Sequence, residues 1–543
     1  MIKKGKLKKA GLIFLVLVFV FSGPDLNFFN NGSSLIASSY AARKKHKNVY
    51  RSAIPRKKDF TFPVIIKEDK YPEVNELSSI GNLRREIDRV VNSGALSNSS
   101  YGVKIKSLKT GDVIFEKNPD VLLLPASNAK LITSAAALAY LKPEYTFKTM
   151  VYYDGVLKNG KVDGNVYLKG FGDPSLVSED LWIMANDVYL KGIREITGDV
   201  IADDSFFDSK RMGDGWEEYP KESLYTAYVG ALSLNYNTVR IIVSAFPQDG
   251  KLPTVMLDPP NSYIDIDNRL ESRGSKGGSA VSARWIDEDS ENNEKILLHG
   301  KISSRGVAET YKKIDNPPVY TAAVFKDFLN KNGVSAKGKV EIGITPGNGK
   351  VLVIHNSKSL ATIIRDMNKY SNNFIAEQIL KTLGGELKGA PATVEKGIEV
   401  ENEFLGKIGI EKRSYSIGDG AGLSKKNKIT PSQMVRILEF MYNNFELWPE
   451  YISSLPTFGI DGSLKKRFPG YFTERRTRAK TGTLNGVTCL SGFLVTADNE
   501  PVAFSFLFNK CSDVWAAKEV QNSIIVKLNK FSRNGISGGK AVN

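Results

Sequence analysis

Cysteine and histidine are nearly missing from this chain: its 543 residues hold two cysteines and three histidines. Cys489 and Cys511 are too few for a disulfide-stapled scaffold. They form neither a C-x-x-C pair nor a cluster with histidine, so redox and structural-metal motifs are excluded. Their own state stays open between one bridge across the hairpin they flank and two buried thiols. His46, His299 and His355 stand far apart, which argues against a zinc hydrolase with paired helical ligands. Long apolar runs are scarce as well. The run Ala10–Phe21 is shorter than the roughly 20 residues a bilayer-spanning helix needs. Acidic residues are thin only at the start. The formal charge is +16, but in residues 1–60 Asp25 and Asp59 are the only acids among many Lys and Arg. The rest is close to balance, so nucleic-acid binding is a poor reading of the charge.

What is present begins with an export signal. Lys3, Lys4, Lys6, Lys8 and Lys9 precede the run Ala10–Phe21, and small residues at Ala37–Ser39 and Ala41–Ala42 offer a cleavage zone. Residues 1–41 are therefore expected to be a signal peptide or an uncleaved N-terminal anchor. With no cysteine after the run, a lipid anchor is not available. The body is expected outside the cytoplasm, in a periplasm or on the outer face of the cytoplasmic membrane. Residues 42–75 read as a basic, Pro-punctuated linker.

Folding signals start near Leu77. Helical periodicity covers Leu83–Val91, and Tyr101–Ile105 with Asp112–Glu116 reads as a hairpin about a Lys109-Thr110-Gly111 turn. An apolar helix is expected over Asn128–Leu141, after Pro125. From Phe147 to Val340 the texture turns β-rich with Asp-Gly and Asn-Gly turns, Asp249-Gly250 among them, a strand at Val239–Phe246 and a loop-heavy span Glu271–Asn293. Helical patterns return at Val319–Asn332, Leu360–Leu383 and Thr393–Ile408. Strands close the chain at Arg478–Thr483, Leu490–Thr496 and Pro501–Asn509, and a disordered tail is expected over 531–543. The fold class is mixed α/β, with an enzyme core interrupted by a long insertion.

Three short motifs carry chemistry. Ser127-Asn128-Ala129-Lys130 puts a hydroxyl and an amine three residues apart on one helical face, where a desolvated Lys can activate the Ser. Alone, it reads more readily as a helix cap beside an unrelated Lys. Ser371-Asn372-Asn373 stands before an apolar helix and alone is an ordinary cap. Lys480-Thr481-Gly482-Thr483 heads a strand, offering a cation, hydroxyls and a close backbone approach for a carboxylate-bearing peptide. Their order, S-x-x-K, S-x-N, K-T-G, gives them weight. Lys109-Thr110-Gly111 precedes the serine motif and is set aside. So is Gly535-Ile536-Ser537-Gly538-Gly539, a formal nucleophile-elbow match in a polar tail.

In longer context the chain resembles the low-molecular-mass class C penicillin-binding proteins, D-alanyl-D-alanine carboxypeptidases/endopeptidases of the penicillin-binding-protein-4 type. The resemblance runs from about Leu77 to Asn509. It rests on Pro125–Leu138, Gly172–Leu176, Ala231–Asn237, Ser371–Glu377, Gly418–Pro431, Gly459–Arg467 and Ala479–Val487. It implies a penicillin-recognising serine transpeptidase-like core, an antiparallel sheet with helices, interrupted by inserted β-rich domains. The implied partition is core over 76–147 and 349–530, inserted domain II over 148–232 and 306–348, and inserted domain III over 233–305. It also implies Ser127 as nucleophile, Lys130 as base, Ser371 as proton relay and Asn373 as their positioner. Lys480, Thr481, Gly482 and Thr483 would bind substrate, with the N–H groups of Ser127 and Thr483 as oxyanion hole. Peptidoglycan stem peptide is the implied substrate and β-lactams the covalent inhibitors, with no metal or organic cofactor. A β-lactamase and a silent peptidoglycan-binding scaffold share these motifs. The insertion counts against the first, and six intact polar residues count against the second. Two departures from the family pattern stand in one loop, Ala421 for a Ser and Lys425 for an Arg.

Overall fold

Two strands in the last part of the chain are apolar on both faces, and that decides where they sit. In Pro501–Asn509, Val502, Phe504, Phe506 and Phe508 point to one side, while Ala503 and Leu507 point to the other. Val487–Val495 does the same with Leu490 and Leu494 against Val487, Cys489 and Phe493. A strand buried on both faces belongs in the middle of a covered sheet. In the computed structural model, which describes residues 79–220, 222–245, 252–273, 279–286, 294–304, 306–467 and 475–533, it does. The sheet is antiparallel, ordered Thr477–Leu484, Val487–Val495, Pro501–Asn509, Ser100–Ser107, Val113–Lys117.

Helices Ile80–Val91 and Val514–Lys530 cover one face through Leu83, Ile87, Ile524 and Leu528. On the other lies the helix Lys130–Leu141, buried from Lys130 through Leu138 and hence central rather than amphipathic. Around it pack Leu360–Tyr370, Asn373–Lys388, Val394–Lys407 and Pro431–Tyr442.

The chain leaves this core sheet at Lys117 and returns to it at Thr477. Between them a second five-stranded sheet runs Val340–Ile342, Val200–Asp203, Val166–Gly170, Thr146–Tyr153, Lys350–Ser359. Helices Ser178–Leu190 and Pro317–Lys331 share its apolar core. Two three-stranded sheets follow, one around Thr238–Ser244 and one around Glu294–Ser303.

The architecture is the mixed α/β arrangement expected, an antiparallel core sheet with helices interrupted by a long insertion, with local corrections. The helix expected from Asn128 begins as a 3-10 turn, Ala126–Ala129, and becomes α-helical at Lys130. The stretch Leu360–Leu383 is two helices, broken at Ser371 by a left-handed backbone. Ser178–Leu190 is a helix within the span expected to be β-rich. Its buried Leu181, Met184, Ala185 and Val188 keep helical spacing that the surrounding turn signals hid. Glu271–Asn293, expected to be loop-heavy, is entered by strands Ile264–Arg273 and Ala280–Ile286, whose polar residues face outward on a small exposed sheet. Phe531 is fully buried and Arg533 pairs with Glu500 at 2.7 Å, so the packed structure runs past the expected start of the tail. The leader 1–41, the linker 42–75, the Asp249-Gly250 turn and the Gly535–Gly539 stretch lie outside the described residues. Cys489 and Cys511 are buried free thiols, and Cys489 donates to Leu124 O at 3.4 Å.

Candidate active site

The candidate nucleophile, Ser127, sits on a strained turn. Ala126 has φ +47, a region that costs a non-glycine residue, and it presents the half-buried Ser127 to the cleft. Two glycines lie against the turn. A Cβ on Gly422 would lie 1.9 Å from Ala126 O, and one on Gly482 would lie 2.8 Å from Pro125 O and 3.1 Å from Ser127 N. Neither contact tolerates a side chain. Asn128 completes the seat. With its amide oriented to satisfy both ends, it donates to Lys480 O at 3.0 Å and accepts from Ser491 Oγ at 2.7 Å.

Lys130, one turn beyond Ser127, has no exposed surface. Its amine donates to Ser127 Oγ at 3.1 Å, Asn373 Oδ1 at 2.7 Å and Ala421 O at 2.5 Å. Burial brings its pKa down to about 7, against the opposing pull of Asp419. A lysine so placed is a free amine for much of the time at neutral pH.

Ser371 owes its position to the break between two helices. It ends the first at φ +57, while the Asn372 side chain caps the second by accepting from Ile375 N at 3.0 Å. Asn373, first residue of that second helix, spans the site, accepting from Lys130 and donating to Tyr225 O at 3.0 Å. Tyr225 belongs to the long insertion, which therefore forms part of the wall.

The third side is the edge strand Thr477–Leu484. Its first part is closed by Pro456–Phe458, with Phe458 N donating to Thr477 O and Ala479 N to Pro456 O, each at 3.0 Å. From Lys480 to Leu484 the outer edge has no strand partner among the described residues. Lys480 is fully buried and donates to Ser371 Oγ at 2.8 Å and Thr481 O at 2.9 Å. Burial and the facing Lys130 hold its pKa well below the ordinary lysine value. Two buried amines thus face each other, and among the described residues neither is hydrogen-bonded to a carboxylate. An incoming carboxylate would favour the charged form of the Lys480 amine. Thr481 Oγ1 bonds Ser463 Oγ at 2.7 Å, and Thr483 stands exposed on the strand beyond.

All eight residues singled out in the sequence meet at one cleft. Ser127, Lys130, Ser371, Asn373, Lys480 and Thr481 are joined to it by hydrogen bonds, Gly482 by backbone contact and Thr483 by its place on the strand. Sequence reasoning missed the support behind them. Asp419, fully buried, accepts from Trp216 Nε1, Asn427 Nδ2 and the N–H groups of Gly422, Leu423 and Ser424 at 2.6–3.1 Å. It thereby shapes the loop whose Ala421 carbonyl holds Lys130. The run Gly418–Pro431 marked this loop as part of the resemblance but gave no role to Asp419 or Gly422. The two departures fall lightly here. Ala421 contributes its carbonyl, and Lys425 is an exposed partner of Glu218.

Residues 83–531 match the sequence profile of the D-Ala-D-Ala carboxypeptidase 3 (S13) family. The chain belongs to that family. It is 33% identical to a D-alanyl-D-alanine carboxypeptidase of Actinomadura sp. over 83% of this chain and 85% of that protein. Penicillin-binding protein 4 (dacB) of Haemophilus influenzae is a structural neighbour at TM-score 0.67 and 25% identity, covering 82% of this chain and 97% of that one. The same protein complexed with a novel β-lactam matches at TM-score 0.65 and 26% identity, over 80% and 98% of the two chains.

Proposed function

We propose that this protein is an exported serine D-Ala-D-Ala carboxypeptidase/endopeptidase that works on peptidoglycan stem peptides and cross-links through an acyl-enzyme on Ser127, and that β-lactams arrest it at that stage. The observation that carries the reading is the paired contact of two buried amines with two hydroxyls, Lys130 with Ser127 and Lys480 with Ser371. Ser127 Oγ attacks the carbonyl of the penultimate D-alanine while the Lys130 amine takes its proton. The oxyanion forms between the N–H groups of Ser127 and Thr483, where one donor is typically worth about 3 kcal/mol. Ser371 passes a proton to the leaving amine, and Asn373 holds the substrate amide. The terminal carboxylate lies against Lys480 and Thr481. Gly482 lets the substrate backbone run beside the bare edge as an added strand. Water then releases the acyl group.

The family profile and the relatives support the carboxypeptidase part. Cleavage of cross-links follows from the same bond chemistry in a branched substrate. The leader 1–41 supports export to a periplasm or the outer membrane face, and among the described residues no helix is long and apolar enough to cross a membrane. We assign the core to 76–147 and 349–530, with the insertion between.

Intact mass after incubation with benzylpenicillin, with peptide mapping, tests this. A long-lived penicilloyl adduct on Ser127, absent from Ser127→Ala, is the expected result. An adduct that disappears as penicillin is consumed would make the protein a β-lactamase, and no adduct would leave a silent binding scaffold.

A further inference from the structure

A buried carboxyl stands behind the base without touching substrate. Glu377 lies four residues after Asn373 on the same helix, hence on the same face, and is fully buried. Its Oε2 accepts from Gly420 N at 3.0 Å, and its Oε1 has no hydrogen-bond partner among the described residues. On the opposite side of the same residue, Thr133 Oγ1 donates to Gly420 O at 3.0 Å. The next carbonyl along, Ala421 O, is the one that accepts from Lys130. Gly420 is thus gripped at its N–H by one helix and at its carbonyl by another, and the residue it precedes aims an acceptor at the base.

We propose that Glu377 is a positioning residue for Lys130: by holding Gly420 N–H it fixes the direction of the Ala421 carbonyl, and through it the place of the amine opposite Ser127. This rests on the reading of Lys130 as base. Several charged groups face the carboxyl. Lys130 comes from the nucleophile helix, Asp419 from the loop, Glu401 from Val394–Lys407 and Lys381 from its own helix. Burial and Asp419 hold its acid well above the ordinary carboxyl range, with Lys381 opposing. Its part at Gly420 is that of an acceptor, and burial favours the uncharged form of the acid. A second anion at this place would hold the proton on Lys130 and spoil the base, whereas a neutral acid keeps the geometry without the charge. Glutamine has the same reach and the same acceptor, so it is the faithful substitute, and leucine fills similar space with no acceptor.

The test follows the acylation rate with benzylpenicillin by intact mass, from mildly acidic to mildly alkaline pH, for the full chain, E377Q and E377L. E377Q is expected to acylate within about twofold of the unaltered protein with the same pH midpoint. E377L is expected to lose about tenfold, the scale of one lost hydrogen bond. Rescue by glutamine separates positioning from bulk packing. A tenfold loss in E377Q, or a midpoint moved by about one pH unit, would show that the carboxyl acts by its charge and overturn the proposal. An E377L variant as fast as the unaltered protein would overturn it too. If E377L does not fold, the E377Q rate and midpoint decide alone. Failure of the unaltered protein to acylate would instead bring down the reading of the site.

Discussion

At the scale of single residues, the site depends on keeping two amines where water is absent. Lys130 is brought to about 7 by burial, with Asp419 pulling the other way. Its basic form is the neutral amine, whose fraction grows as pH rises through that value. Acylation by a β-lactam should therefore climb along a limb centred near pH 7 and level off above it, a profile that a pH series of second-order rates measures directly. A limb lying near the ordinary lysine value would mean that water reaches the amine. The motif residues were legible because each is a side-chain type with a known task at a fixed interval. Asp419 and Glu377 were not, because their work is done on backbone N–H groups that only the folded loop brings within reach.

At the scale of elements, the proposed catalytic parts lie at irregularities. Ser127 follows a positive φ, Ser371 has one, and Lys480 heads the open half of an edge strand. Sequence periodicity finds the regular stretches and runs through the breaks, which is why Leu360–Leu383 read as one helix and Asn128–Leu141 as a uniform one. The short Ser178–Leu190 helix escaped for a related reason, being framed by the turn residues of a sheet. The turn before Ser127 makes the sharpest demand. Gly422 has φ +85 and lies against the Ala126 carbonyl, so Gly422→Ala must push the turn or the loop aside. We expect acylation to fall by about a hundredfold, the effect of a displacement near 1 Å at reacting atoms, with the circular dichroism spectrum retained. Normal acylation in that variant would show that the turn is not held from this side.

At the scale of the molecule, distant parts of the chain are fastened through buried polar groups. Trp216 reaches Asp419, Lys381 reaches Asp208 at 2.5 Å, and Tyr225 meets Asn373, each joining insertion to core. Asp173 is a less satisfied case. It is buried, its Oδ1 accepts from Ser175 N and Oγ at 2.8 Å, and its Oδ2 has no hydrogen-bond partner among the described residues. Burial pushes its pKa up to about 7. The folded form then holds a proton that the unfolded chain releases near pH 4. Stability therefore falls as pH rises from that point to about 7, by at most about 4 kcal/mol. Asp173→Asn keeps the Oδ1 acceptor and removes the ionisation. Its thermal midpoint should exceed that of the unaltered protein at pH 8 and match it at pH 4, as calorimetry at both values will show. An equal change at both would assign the effect to packing.

The half-closed edge strand has one more consequence. Unpaired strand edges invite other chains to join them, and fibres grow that way. Here Pro456–Phe458 shuts the first part, and the open run Lys480–Leu484 spans only ~17 Å. That length admits the end of one short peptide and is too brief to template a second sheet. The same shortness that limits what the cleft can receive keeps crowded copies of the protein from polymerising through it.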